Sequence, residues 1–174
     1  MTEVERRRTV AASPGAVWTL LADYGGIVAW ASNVDHSCLL TDQESGVGAV
    51  RRIQSGRTAL VETVRSWVPD EELSYEITGL PKVVRSVVST WRIVPDDAGS
   101  IVTLTSAIDA GPRPPQRLIA KIAGRKLAEA ADEMLAGLAT HLDFDRSPAT
   151  REETAHQERN NLTRSSGNEE ETTP

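Results

Sequence analysis

Two opposite charges set among aliphatic residues are the first place where this chain could do chemistry. Gly46–Gly56 reads GVGAVRRIQSG and Thr58–Glu71 reads TALVETVRSWVPDE. β-Branched residues dominate both arms and Ser-Gly marks a break, which predicts an antiparallel hairpin turning at Gly56–Arg57. That turn sets Arg51 opposite Glu62, Ala49 opposite Val64 and Ile53 opposite Leu60, all on one face, because side chains alternate along a strand. Inside an apolar cavity the pair would be a polar anchor, able to orient a hydroxyl, carbonyl or carboxylate of a bound molecule. On an exposed face it would be a surface salt bridge of little energetic value. The hairpin alone leaves both readings open.

Other candidates lie on neighbouring segments. Leu73, Tyr75 and Ile77 alternate with Ser74, Glu76 and Thr78, the clearest half-buried strand in the chain. Tyr75 offers a ring wall and a hydroxyl, or is a core tyrosine. His36 and Cys38 stand two apart and share a face; a histidine there could act as acid or base near neutrality, whereas nothing marks Cys38 as an activated nucleophile. His36, His141 and His156 are too dispersed to form a metal set. Gly46-Val47-Gly48 lacks a third glycine and precedes a strand, so it is no dinucleotide fingerprint, and no phosphate-binding loop or nucleophile elbow occurs. No cofactor and no metal are expected. Trp18, Trp30, Trp67 and Trp91 read as core or cavity wall, with Trp67 on the face opposite Glu62 by simple alternation.

The elements that position these residues follow from periodicity and breaks. Glu3–Ala12 predicts a strand. Ser13-Pro14 then starts a helix, with serine as N-cap and proline in the first turn. Its stripe is Val17, Leu20, Leu21 and Tyr24, and Gly25-Gly26 ends it. Ile27–Trp30 suits a second short helix. Strands are expected at Val34–Leu40, Gly48–Gln54, Ala59–Val68, Leu73–Thr78, Val83–Val94 and Ser100–Asp109, each bounded by turn residues. Pro115–Leu142 predicts one long amphipathic helix with the stripe Leu118, Ile119, Ile122, Leu127, Ala130, Ala131, Met134, Leu135, Leu138 and Leu142. Such a helix needs a sheet to lie on. Seven antiparallel strands, strongly curved, with that helix across the concave side, would leave space between the layers. The small residues Ala123, Ala130, Ala131 and Gly137 would enlarge it.

Composition narrows the classes. The chain has 174 residues and a formal net charge of −6, a size for one domain with a proper core and a balance that argues against nucleic acid as partner. Only Ala149, Ala155 and Leu162 are plainly apolar beyond Asp145, so residues 145–174 are expected to be a disordered polar tail on a domain of residues 1–144. Cys38 is the single cysteine, which fits a reducing interior. The start MTEVERRRTV has no apolar core of a signal peptide, and no run approaches a membrane span. The expectation is a cytoplasmic protein without integral membrane association, monomeric or weakly dimeric.

The order strand, two short helices, six strands, long helix resembles the helix-grip fold of the START-like, or SRPBCC, superfamily, which includes polyketide cyclase/dehydrase-like proteins. The stretches that carry the resemblance are SPGAVWTLLADYGGIVAW (Ser13–Trp30), GVGAVRRI (Gly46–Ile53), VETVRSWVPDEELSYEITG (Val61–Gly79) and STWRI (Ser89–Ile93). It implies an α+β domain that holds a small apolar ligand in a cavity. Glu62 lies where the superfamily's abscisic acid receptors place a pocket glutamate, Tyr75 where they carry a pocket aromatic, and His36 where their Lys-Ser-Cys run has its lysine. Ser86 and Thr105 fall near pocket-facing positions by the same comparison, or are ordinary strand residues. The receptors' gate becomes Ser55-Gly56-Arg57-Thr58 and their latch is absent, so neither their signalling mechanism nor abscisic acid recognition carries over. The expected ligand-binding set is Arg51, Glu62, Tyr75, His36, Val84, Ser86, Thr105, Ile53 and Ile77, taking a lipid, polyketide, isoprenoid or quinone. The alternative is an aromatase/cyclase or dehydratase in which Arg51, Glu62, His36 and Tyr75 shuttle protons. Fold alone does not decide between them.

Overall fold

A computed structural model describes residues 2–81, 84–111 and 114–145, the side chains of 114–117 apart. Ser13 caps helix α1 (Pro14–Ala22) through its Oγ, which accepts from the Ala16 amide at 3.3 Å, as the Ser-Pro start requires. A single 3₁₀ turn follows at Ile27–Ala29. The strands are β1 (Thr2–Val10), β2 (His36–Leu39), β3 (Val50–Ser55), β4 (Thr58–Val68), β5 (Glu72–Thr78), β6 (Ser86–Asp96) and β7 (Gly99–Asp109), and α2 spans Pro114–Asp145. They form one curved seven-stranded sheet in the order β1-β7-β6-β5-β4-β3-β2 with every pairing antiparallel, and with α2 they make the helix-grip fold. The sequence-predicted strand start at Val83 lies outside the described residues, and β6 begins at Ser86. Of the expected tail, residues 146–174 lie outside them too, while Asp145 ends α2. Among the described residues no helix is long and apolar enough to cross a membrane.

The hairpin forms in the predicted register: Arg51 faces Glu62, Ile53 faces Leu60, and the Val64 amide donates to the Ala49 carbonyl at 2.9 Å. Gly56 sits at the turn with a φ of 56°, a conformation glycine adopts without steric penalty. Further along, β4 departs from regular alternation. Val64 pairs with Tyr75 but Ser66 with Ser74, so Arg65 and Ser66 together oppose one residue. This bulge flips the parity of the strand. Trp67 therefore lies opposite Leu73 on the same inner face as Glu62 and Val64, and its ring meets Trp18 edge-on at 5.1 Å. Alternation alone puts Trp67 on the outer face, because sequence does not announce a bulge.

Helix α2 differs from its apolar reading in its first half. Its buried positions there are Ala120, Gly124 and Ala128, while Leu118 and Ile122 are 61% and 53% exposed. The buried line Ala120, Gly124, Ala128, Ala131, Leu135, Leu138, Leu142 keeps helical spacing throughout. It begins in small residues, so a reading that follows the large side chains drifts onto the opposite face. Small residues here bring backbones together rather than leaving space. A Cβ at Gly137 would collide with the Trp30 carbonyl oxygen, and Asn33 Nδ2 donates to the Ala130 carbonyl at 3.3 Å.

Gly137→Ala should therefore destabilise the protein by about 2 kcal/mol or more in denaturant titrations, the steric clash outweighing alanine's better helix propensity of about 1 kcal/mol. Gly124→Ala is the comparison: the nearest atom to its Cβ would be a methyl carbon of Val4, at 3.2 Å, and the effect should be milder. Equal stability of the two variants would show that α2 does not press on the 27–31 loop.

Candidate functional site

The inner face of the sheet is built in cross-strand rows. One row runs Arg51, Glu62, Ile77, Val87, Ile108, the next Val64, Tyr75, Ser89, Ser106, and a third Trp67, Leu73, Trp91, Leu104. Arg51 and Glu62 are each 3% exposed, and they are the only charged residues in the buried set among those described. The surface alternative for the pair is thereby removed.

Arg51 is held from three sides. Its Nε donates to Glu62 Oε2 at 2.6 Å and its Nη1 to the Tyr24 carbonyl at 2.7 Å. Its guanidinium carbon lies 4.0 Å from the centre of the Tyr24 ring and 5.4 Å from that of Tyr75, a cation–π arrangement. Burial opposes the guanidinium charge. Glu62, backed by the two tyrosines, outweighs that and raises the Arg51 pKa above its ordinary value. Helix α1 ends at Ala22 with Asp23 as its C-cap, short of the glycine pair that the sequence reading made its end, so Tyr24 stands beyond the helix with its carbonyl turned to Arg51.

From Tyr75 a polar line continues through the core. Trp91 Nε1 donates to Tyr75 Oη at 3.2 Å, and Trp91 meets Trp30 edge-on with ring centres 5.9 Å apart. Ser89 and Ser106 share a hydrogen bond of 2.8 Å beside it. At the two ends of this line, Tyr24 Oη and Trp30 Nε1 are buried and have no hydrogen-bond partner, although Tyr24 and Trp30 are only 1% and 6% exposed. Asn33 Oδ1 and Ser37 Oγ are likewise buried without a partner among the described residues, whereas buried polar groups are normally paired with protein or ordered water.

Tyr24 and Tyr75 are the only tyrosines in the chain, and both hold their protons far above the ordinary phenol range. Burial is the main cause for each; Glu62 raises both, while the Arg51 charge pulls the other way and is outweighed. The native protein should therefore show no tyrosinate absorbance at pH 11, whereas the unfolded chain titrates near pH 10. The linkage has one sign: the raised folded pKa leaves stability intact below about pH 10 and removes it above, by about 2.7 kcal/mol per pH unit for two protons. A native tyrosine titrating near pH 10 would place its hydroxyl in water.

The expected ligand set divides. Ile53 and Ile77 are buried on the inner face with the charged pair, and Tyr75 sits in the middle row. Val84 lies in the segment before β6, half-buried against the core. His36 is exposed, because Ser37 and Leu39, the partners of Ile53 and Arg51, take the inner side of β2. Ser86 and Thr105 also point outward: the buried residues of β6 are Val87, Ser89, Trp91 and Ile93, and those of β7 are Ser100, Val102, Leu104, Ser106 and Ile108. An offset of one residue from Trp91 or Leu104 is enough to change face. Sequence reasoning missed Ser89 and Ser106, which the parity of buried Trp91 would have indicated. From sequence, Trp30 reads as core or cavity wall and Tyr24 as part of a helical stripe, and the polar tip of neither is singled out.

Among the described residues no group of three or more His, Cys, Asp or Glu could hold a metal ion. An open groove of 480 Å³ near the β4–β5 turn is lined by Pro14, Asp70, Glu71, Arg92 and Pro95 among others, and by none of the interior polar residues.

Residues 1–143 match the family described as polyketide cyclase/dehydrase and lipid transport. The chain belongs to this family. No curated protein matches it. Among solved structures, TTHA0849 from Thermus thermophilus superposes with a TM-score of 0.65 at 19% identity, covering 84% of this chain and 100% of that one. A protein from Thermobifida fusca gives 0.64 at 25% identity over 82% and 93% of the two chains. Ara h 8.0201 gives 0.60 at 12% identity over 80% and 98%. The likeness to TTHA0849 and Ara h 8.0201 is one of fold. Family and fold together support ligand binding or cyclase chemistry for this member.

Proposed function

We propose that this protein binds a small, mainly apolar molecule of the lipid, polyketide, isoprenoid or quinone class in its interior, against the row of Arg51, Glu62 and Tyr75. The observation that carries the proposal is a set of four buried side-chain atoms without a hydrogen-bond partner among the described residues: Tyr24 Oη, Trp30 Nε1, Asn33 Oδ1 and Ser37 Oγ. Ile53 and Ile77 would supply apolar wall, and Val84 would border the ligand. The free, exposed Cys38 suits a cytoplasmic setting.

The enzyme reading has less support. Of its four proton carriers, His36 is exposed and Tyr75 keeps its proton well beyond neutral pH. Neither suits a general base working near pH 7 inside the fold.

The test is uptake of an environment-sensitive fluorophore by delipidated protein. Binding with a Kd in the micromolar range is expected, with displacement by long-chain acyl or polycyclic aromatic compounds. Tyr75→Trp and Val84→Trp should weaken it. A folded protein that takes up no such probe would end the ligand-binding reading.

A further inference from the structure

The first half of α2 carries a surface that holding the fold together does not require. The helix is seated there by Ala120, Gly124 and Ala128, and a Cβ at Gly124 would meet side chains of Val4 and Ile108. Leu118 and Ile122 point the other way and are 61% and 53% exposed. Successive residues step about 100° around a helix, so these two lie about 40° apart, with Lys121 and Arg125 to one side and Lys126 to the other. All three cations are exposed, and none is in an ion pair among the described residues. No acidic residue occurs from Pro114 to Ala128; Glu129 is the first. A single exposed aliphatic residue is ordinary. Two on adjacent turns between unpaired cations form a patch, and isoleucine brings no helix propensity to such a position.

We infer that this face, from Leu118 to Lys126, docks the protein on an anionic lipid surface. The inference goes beyond ligand binding in the interior and does not depend on it. A bilayer containing anionic lipid offers negative charge at the headgroups and an apolar layer just beneath. Leu118 and Ile122 would enter that layer, while the long stems of Lys121, Arg125 and Lys126 lie along it and carry their charges to the phosphates. The face runs about 12 Å along the helix at 1.5 Å per residue, and it stops where Glu129 and Glu133 turn the same side acidic. The formal net charge of −6 does not prevent docking, because charges more than about 8 Å away are largely screened at physiological ionic strength. Glu3 and Glu5 subtract from the attraction: with Arg6, Lys121 and Arg125 they line an open groove of 320 Å³ between β1 and α2. An apolar protein partner would leave the cations unused, and a nucleic acid would leave the aliphatic pair unused.

The experiment is co-flotation of the full chain with vesicles of phosphatidylcholine alone and of phosphatidylcholine with about 30% phosphatidylglycerol. Binding to the anionic vesicles only is expected, weakened at least about tenfold as NaCl rises from about 0.05 to about 0.5 M. Lys121→Gln, Arg125→Gln and Lys126→Gln should each weaken it about fivefold, and the double change Leu118→Gln/Ile122→Gln at least about tenfold. All five side chains are exposed, so the variants keep the fold, which circular dichroism checks. Val94→Gln removes an equally exposed aliphatic residue from β6 and should leave binding unchanged. Equal binding to both vesicles, binding to neither, survival of binding in the Leu118/Ile122 variant, or an equal loss from Val94→Gln overturns the inference. So does a dimer, seen by analytical ultracentrifugation, that dissociates in the Leu118/Ile122 variant while no vesicle is bound; that result assigns the face to a second copy of the chain.

Discussion

Replacing Arg51 by Met while keeping Glu62 is expected to destabilise the fold by about 3–5 kcal/mol, because it leaves a buried carboxylate without its partner. Glu62→Leu should do comparable harm by orphaning the guanidinium. The double variant Arg51→Met/Glu62→Leu should recover most of the loss, since a buried ion pair contributes little over a well-packed apolar pair once its desolvation is counted. The tyrosine rings that flank Arg51 set the scale of recovery: they lose a cation–π partner at 4.0 and 5.4 Å, and the Tyr24 carbonyl loses its donor. A double-mutant cycle read by chemical denaturation tests this. Coupling below about 0.5 kcal/mol would show the pair to be solvated in solution.

The second large effect is expected at Trp91. It is 1% exposed, sits in the row Leu73, Trp91, Leu104, packs against Trp30, and donates to Tyr75. Trp91→Ala should cost about 3–5 kcal/mol through lost transfer energy and the cavity left behind. The surroundings cannot collapse easily, because β6, which carries Trp91, is held by ladder hydrogen bonds to β5 on one side and β7 on the other. Trp91→Phe separates the contributions. It keeps most of the ring volume and removes the indole donor, so it should cost about 1–2 kcal/mol. Trp91→Ala that unfolds within about 1 kcal/mol of wild type would mean that the centre of the inner face is loosely packed.

These two sites also mark how far sequence reaches here. The Arg51–Glu62 register was legible because it depends on local geometry: a two-residue turn fixes which positions pair, and alternation fixes the face. The α1 cap, the consecutive pairing of β2 through β7 and the long helix were legible for the same reason, since each rests on neighbours close in sequence; the β1–β7 pairing joins distant segments and has no such local signal. What sequence could not supply is parity across a bulge, which moved Trp67 inward, and the phase of a helix stripe written in alanine and glycine, which turned Leu118 and Ile122 outward. His36, Ser86 and Thr105 were placed by comparison with distant pockets, and an error of one position is enough to put a strand residue on the wrong face.

Burial of the Arg51–Glu62 pair was a tertiary decision. The residues alone allowed an exposed bridge as readily as an interior one; the packing of Tyr24, brought in by the break after α1, and of Tyr75 from β5 removed it from water. The polar line from Tyr24 to Trp30 likewise joins residues from a loop, β5 and β6, with no spacing in the chain to reveal it. The sequence by itself determined which elements form and how adjacent strands pair, because those depend on short-range sterics and hydrogen bonding. Which hydroxyl and indole groups end up buried without a partner was decided only when distant segments closed over them, because solvation depends on everything that packs around an atom and not on its neighbours in the chain.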